Sequence, residues 1–124
     1  MSAAPLVSII DDDDSLRLAL VGLVRSVGYE ARGFPSAEAF LQSATVESYA
    51  CIVTDIQMPG MSGIDLKQYL AAQQITTPVI MITARPDPSL ADKARAAGAI
   101  GFLRKPFDAD ALIGYLDKAL GDQS

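Results

Sequence analysis

The sequence contains no histidine and a single cysteine, Cys51. Without an imidazole the chain has no histidine general base, no histidine metal ligand, and no way to donate a phosphoryl group from a phosphohistidine of its own. One cysteine excludes an internal disulfide and fits a reducing compartment. Nothing beside Cys51 would lower its pKa, so it reads as a small buried apolar residue. Basic residues are also few. Lysine and arginine total 10 against 15 aspartates and glutamates, a net charge of −5, which argues against a general nucleic-acid or membrane-surface binder. Long apolar runs are missing too. The stretch from Leu18 to Val24 is held between Arg17 and Arg25, far short of the roughly 20 residues a bilayer requires. The opening Met1-Ser2-Ala3-Ala4-Pro5 carries no basic side chain and does not read as a signal peptide. No repeat, low-complexity tract or linker is visible. A soluble, cytoplasmic protein is expected.

What is present is a 124-residue chain that is 50% apolar and 20% charged, enough for one packed core. Residues 1–124 are therefore taken as a single domain with a core of about residues 6–120. Short apolar runs alternate with helical periods. Leu6 to Ile10 is a compact run that ends in Asp11, Asp12, Asp13 and Asp14. Leu16, Leu20, Leu23, Val24 and Val27 then share one helical face, with Asp13 or Asp14 as the cap and Gly28 as the stop. Tyr29 to Phe34 predicts a weak second strand, and Pro35-Ser36 opens a short helix striped by Ala37, Phe40 and Leu41. Tyr49 to Thr54 predicts a third strand ending at Asp55. After a Met58-Pro59-Gly60-Met61-Ser62-Gly63 loop, Ser62 and Asp65 resemble a capping box for a helix carrying Ile64, Leu66, Tyr69 and Leu70. The fourth strand is Val79 to Ile82, ending at Thr83. Asp87 and Pro88 read as N-cap and first helical residue of the next helix, which stops at Gly98. Ile100 to Arg104 is the fifth strand, followed by Lys105-Pro106. Asp108 caps a last helix that carries Leu112, Ile113, Leu116 and Leu120 and stops at Gly121.

Five strands that are apolar at successive positions, each followed by a helix, predict a parallel sheet covered on both faces. Parallel strands require crossovers, and crossovers are right-handed. The expectation is a doubly wound, flavodoxin-like α/β fold with five helices and strand order 2-1-3-4-5. Sites in such folds lie beyond the carboxyl ends of the strands. That rule gathers Asp11, Asp12, Asp55, Thr83 and Lys105 at one edge. Three clustered carboxylates repel one another unless a cation is present. A pocket of oxygen ligands without His or Cys favours a hard ion, Mg²⁺ first. A carboxylate can itself be a nucleophile and form an aspartyl phosphate, with Lys105 and Thr83 left to meet the phosphoryl oxygens. Positioning and charge neutralisation are what phosphoryl transfer mainly asks of a protein.

These residues carry a family resemblance. Val7-Ser8-Ile9-Ile10-Asp11-Asp12-Asp13, Thr54-Asp55-Ile56-Gln57-Met58-Pro59-Gly60-Met61-Ser62-Gly63, Ile82-Thr83-Ala84 and Lys105-Pro106-Phe107 together resemble a response-regulator receiver domain, over about Leu6 to Leu120. The Pro35-Ser36-Ala37-Glu38-Ala39-Phe40-Leu41 segment is similar to receivers of the NarL/FixJ type, which are often joined to a LuxR-type DNA-binding domain. The resemblance implies that Asp55 accepts phosphate from a histidine kinase or a histidine phosphotransfer protein. It implies that Asp12, Asp55 and the backbone carbonyl of Gln57 ligate Mg²⁺ directly and that Asp11 helps through water. Lys105 would pair with the acceptor, Thr83 would move toward a phosphoryl oxygen, Phe102 would take the aromatic switch position, and the Lys105-Pro106 bond would be cis. The change would spread to the face made by the fourth helix, fifth strand and fifth helix. The receiver would catalyse only its own phosphorylation and dephosphorylation, and is not expected to be an enzyme that turns over a metabolite. Dimerisation on phosphorylation is compatible with the family, though no residue pattern isolates an interface. Any DNA contact would belong to an output domain outside this chain. The tail Gly121-Asp122-Gln123-Ser124 suits a linker as well as a natural end, so a stand-alone receiver and a piece of a longer regulator both remain open.

Each signal has a blander reading. The aspartate run can be a solvated loop and helix cap, Thr83 a strand-end hydroxyl, Lys105 a surface lysine, Phe102 core packing, and Gly60 and Gly63 backbone necessities of their loop. Only the joint pattern sharpens them. Two further positions border the site, Gln57 and Arg85, and are expected to set the lifetime of an aspartyl phosphate. The Arg85-Pro86-Asp87-Pro88 loop is stiffened by two prolines. Leu18, Val21, Gly22 and Arg25 face away from the first helix's stripe, either as a docking patch or as scattered surface residues. Rival functions on the same architecture are an FMN-type cofactor binder, whose phosphate the acids would repel, and an aspartyl-phosphate phosphohydrolase, whose Asp-X-Asp nucleophile context and cap are not evident. An interaction module that is never phosphorylated is the main alternative.

Overall fold

The computed structural model describes residues 4–43 and 46–121. The N-terminal reading at residues 1–3 and the tail reading at residues 122–124 lie outside the described residues. Ten elements alternate: β1 (Leu6–Ile10), α1 (Asp14–Ser26), β2 (Glu30–Phe34), α2 (Ala37–Gln42), β3 (Cys51–Asp55), α3 (Gly63–Ala72), β4 (Val79–Thr83), α4 (Ser89–Ala96), β5 (Gly101–Arg104) and α5 (Ala109–Leu120). The strands pair in parallel in the order β2-β1-β3-β4-β5, as expected. The chain leaves β1 toward β2 and returns on its other side to β3. The carboxyl ends of β1 and β3 therefore flank the point where strand order reverses.

Burial explains why the strands read as unbroken apolar runs. Every residue of β3 and β4 is buried. Val7, Ile9, Val53, Ile80 and Ile82 pack on one face against Leu20 and Val24 of α1 and Leu112 and Leu116 of α5. Ile10, Ile52, Val79 and Met81 pack on the other face against Phe40 of α2, Leu66 and Leu70 of α3, and Leu90 and Ala94 of α4. β2 buries only Ala31 fully, the weak strand its sequence predicts. Cys51 has no exposed surface, and burial pushes its thiol up to about 12, in keeping with the packing role read for it. Among the described residues no helix is long and apolar enough to cross a membrane.

The termini of the elements refine the sequence reading. Asp13 caps α1 by accepting the Leu16 amide at 3.1 Å, and Gly28 follows it at φ +102°. The Ser62–Asp65 capping box forms in both directions, at 3.0 and 3.3 Å. A 3-10 turn at Val46–Ser48 carried no sequence signal. α4 starts later than the Asp87-Pro88 reading. Pro88 already has helical dihedrals and stands at the cap, while Asp87 accepts the amide and hydroxyl of Ser89 at 2.9 and 2.8 Å. Asp108 stands at the cap of α5 as expected, but its side chain makes no capping bond and its backbone carbonyl accepts the Ala111 amide. Two stripe residues are misplaced by periodicity. Val27 follows the end of α1 and is 39% exposed, and Tyr69 lies on the outer side of α3 at 44%. The expected outward face of α1 also shrinks. Leu18 is 69% exposed and Gly22 is open, but Val21 packs against the core and Arg25 donates to the Ala31 carbonyl.

Candidate functional site

Asp11, Asp55, Thr83 and Lys105 leave the sheet at the same edge. Asp11 follows β1, and its amide extends the ladder by donating to the Phe34 carbonyl of β2. Asp55 is the last residue of β3 and Thr83 the last of β4, one position further inside the strands than the sequence reading. Their registers are fixed by Asp55 opposite Ile82 and Thr83 opposite Arg104. Lys105 follows β5, with its amide on the Thr83 carbonyl at 2.8 Å, and the Lys105-Pro106 bond is cis.

The charged groups converge. Lys105 Nζ lies 2.8 Å from Asp55 Oδ2 and 3.2 Å from Asp11 Oδ2. The Asp11 and Asp55 side chains are 1% and 8% exposed, while Asp12 is exposed. Carboxylate oxygens of Asp11, Asp12 and Asp55 lie within 4.8 Å of one another. One ammonium therefore serves two buried carboxylates. Burial raises the Asp55 carboxyl above its ordinary value; the Lys105 bond pulls it partly back, and Asp11 adds repulsion. Burial alone would lower Lys105, but Asp55 and Asp11 outweigh it and hold the ammonium above its ordinary value. A site with excess buried negative charge and only oxygen donors matches a hard divalent cation. Asp11, Asp12 and Asp55 can hold one.

The backbone around Asp55 is closely supported. Its Oδ1 accepts the Gln57 amide at 3.2 Å. A Cβ at Gly63 would sit 2.5 Å from the Asp55 carbonyl oxygen, so only glycine lets α3 start this close to β3. Gly60, at φ +81°, packs under Glu38, whose Oε2 accepts the Met61 amide at 2.8 Å. Both glycines are requirements of the loop, as the bland reading has it.

Gln57, expected both to offer its backbone carbonyl and to border the phosphoryl position, engages its side chain as well: Thr83 Oγ1 donates to Gln57 Oε1 at 2.5 Å. Thr83 Oγ1 in turn accepts the Arg85 amide at 3.1 Å. Phe102, expected at the aromatic switch position or in core packing, lies apart from the carboxylates. It is half-buried on the α4 side of the sheet, with the Arg104 guanidinium carbon 5.4 Å from its ring centroid. Arg85 is exposed and lines an open groove of about 430 Å³ with Gln57, Met58, Pro59 and Ser62. The sequence reading missed three supports. Arg17 donates to the Asp11 carbonyl at 2.8 Å and pairs with Asp14 at 2.7 Å. Glu38 anchors the loop after β3, and Arg104 reaches the loop after β4. Their partners are mostly backbone atoms, which leave no mark on a side-chain pattern.

This architecture agrees with known proteins. The description "Response regulator receiver domain" matches residues 7–117. The chain is 38% identical over 114 residues to the transcriptional regulatory protein FixJ of Bradyrhizobium diazoefficiens, covering 92% of this chain and 56% of that protein. It is 42% identical over 115 residues to FixJ of Azorhizobium caulinodans, covering 93% and 54%. It spans about half the length of the curated relatives it matches. The crystal structure of FixJ-N superposes with a TM-score of 0.85 at 33% identity, covering 100% of this chain and 98% of that one. The Pro35-to-Leu41 reading of a NarL/FixJ type is in line with these relatives. On fold and sequence together, the chain belongs to the response regulator receiver domain family.

Proposed function

We propose that this chain is the phosphoacceptor of a two-component phosphorelay, with Asp55 as the acceptor. The observation that carries the reading is the buried Asp55 carboxylate, 2.8 Å from the Lys105 ammonium, beside Asp11 and Asp12. Asp55 Oδ attacks phosphorus in line. An oxygen–phosphorus bond forms, the phosphorus–nitrogen bond of a partner's phosphohistidine breaks, and the leaving imidazole takes a proton. Asp11, Asp12, Asp55 and the Gln57 carbonyl would hold Mg²⁺, which when bound supplies positive charge to the phosphoryl oxygens. Lys105 moves its ion pair from the Asp55 carboxylate to the new phosphoryl group. Thr83 exchanges its bond to Gln57 for one to a phosphoryl oxygen. Phe102 then repositions, and the change reaches the face of α4, β5 and α5. Such a switch needs only that phosphate bind the two states with different affinity.

Gln57 and Arg85 border the phosphoryl position and set how readily water reaches it. The chain acts in the cytoplasm, and the phosphoryl group comes from a partner histidine kinase or histidine phosphotransfer protein. The receiver catalyses only its own phosphorylation and dephosphorylation. A DNA-binding output segment outside this chain fits relatives of which the match covers 56% and 54%, and dimerisation on phosphorylation belongs to the same proposal.

The test is incubation with acetyl phosphate and Mg²⁺, read by intact mass. One added phosphoryl group, removed by hydroxylamine and absent in Asp55→Asn and in EDTA, supports the reading. No added mass with acetyl phosphate or any kinase identifies an interaction module on the same fold instead.

A further inference from the structure

Arg104 is the last residue of β5, in register with Thr83 at the end of β4. Its guanidinium makes three contacts at once. Nη1 donates to the Arg85 carbonyl at 3.1 Å, Nη2 to the Asp87 carbonyl at 3.4 Å, and the guanidinium carbon lies 5.4 Å from the Phe102 ring centroid. The loop it holds, residues 84–88, is exposed throughout. That loop is tied to the site by the Arg85 amide on Thr83 Oγ1. A continuous line of contacts therefore runs from Gln57 through Thr83, Arg85 and Arg104 to the Phe102 ring. Only a planar fork can bridge two carbonyls and also present a face to a ring; a lysine offers one point charge.

We infer that Arg104 is a positioning residue that straps the loop after β4 to the Phe102 ring, so that Thr83 and Phe102 change place together. The inference rests on the receiver reading and adds to it a role for Arg104. Movement of Thr83 toward Asp55 carries Arg85 with it. The carbonyls of Arg85 and Asp87 then draw the guanidinium off the ring, and Phe102 is released. The contacts are exposed and individually weak, so the strap holds the resting arrangement without locking it. Coupling of this kind is reciprocal, so a displaced ring also loosens the loop.

The test uses the whole chain as wild type, Arg104→Ala and Arg104→Lys. Hydrogen exchange reads the segment 84–90. Fluorine NMR of fluorinated phenylalanine reads the ring, since there are only four phenylalanines and the Phe102 signal is the one lost in Phe102→Leu. Acetyl phosphate with Mg²⁺ is titrated against both readouts. In the wild type, loop and ring are expected to respond with one midpoint. Arg104→Ala should speed exchange of the loop about two- to tenfold, the size of a lost hydrogen bond. It should also shift the Phe102 signal before any phosphate is added and separate the two midpoints. Arg104→Lys should fall between. Faster exchange confined to residues 84–90, with β1 and β3 unchanged, separates a strap from general loosening. Unchanged loop exchange, or loop and ring still sharing the wild-type midpoint in Arg104→Ala, overturns the strap alone. A wild type that takes no phosphoryl group overturns the receiver reading and the strap's role in it.

Discussion

Two loops leave the sheet side by side and are built on opposite plans. The loop from β3 to α3 buries Ile56 and Met58. It is crossed by the Glu38–Met61 bond, closed by the Ser62–Asp65 capping box, and set against the Asp55 carbonyl by Gly63. The loop from β4 to α4 buries nothing between Ala84 and Pro88. It is held by the Thr83 hydroxyl on one amide and the Arg104 guanidinium on two carbonyls. Its two prolines limit local dihedral freedom without anchoring the segment to anything. The first plan fixes its segment through buried side chains and backbone packing; the second leaves its segment held by a few exposed bonds that cost little to break.

Substitutions should separate the two plans. The largest effect is expected at Gly63→Ala. The new Cβ would meet the Asp55 carbonyl at 2.5 Å and Thr54 Cγ2 at 3.1 Å, so backbone must shift. A loss of about 2 kcal/mol is expected in urea unfolding, together with slower phosphorylation by acetyl phosphate. Gly22→Ala, in open space on α1, should instead gain up to about 1 kcal/mol. Equal behaviour of the two glycines would dissolve the contrast.

Next is Glu38→Ala, which removes one exposed carboxylate bond to the Met61 amide. A loss of about 1 kcal/mol is expected by the same measurement. Glu38→Gln should recover part of it, because the amide oxygen can still accept.

A smaller effect is expected from pH. Asp55 is held above its ordinary carboxylate value when folded, so the folded chain binds that proton more tightly than the unfolded chain. In metal-free buffer its contribution to stability falls as pH rises from the ordinary value of 3.8 through the raised one. Asp55→Asn removes this dependence. The variant should melt higher than the wild type near neutral pH, with the gap closing below about pH 4. A wild type that melts higher at neutral pH would show that Lys105 offsets the burial of both carboxylates.

Arg85→Ala should move stability least, within about 0.5 kcal/mol, because the Arg85 side chain is exposed and its loop contacts run through the backbone. It should nonetheless change the decay rate of the aspartyl phosphate. An unchanged decay curve would remove Arg85 from control of the lifetime.

The same contrast explains what could be read in the sequence. β1, β3 and β4 were legible because burial on both faces turns a strand into an unbroken apolar run, and Asp11, Asp55 and Thr83 mark where those runs end. Topology then brings distant strand ends to one edge. Residues that support the loops were not legible. Glu38 accepts from a backbone amide and Arg104 donates to backbone carbonyls, and any acid or base on the surface has that capacity. Gln57 shows the limit most clearly: its place near Asp55 was readable, but its side-chain bond to Thr83 depends on two strands lying adjacent. Periodicity overreached where a stripe ran past the end of α1 to Val27 or onto the outer side of α3 at Tyr69.

The buried thiol of Cys51 has a practical consequence. With no exposed surface and its ionisation pushed up to about 12, it is neither accessible nor nucleophilic near neutral pH. A second cysteine introduced on either loop would be the sole group to react with a maleimide or a spin label. The natural chain is thus already suited to carrying one probe at a time, on the packed loop or on the exposed one.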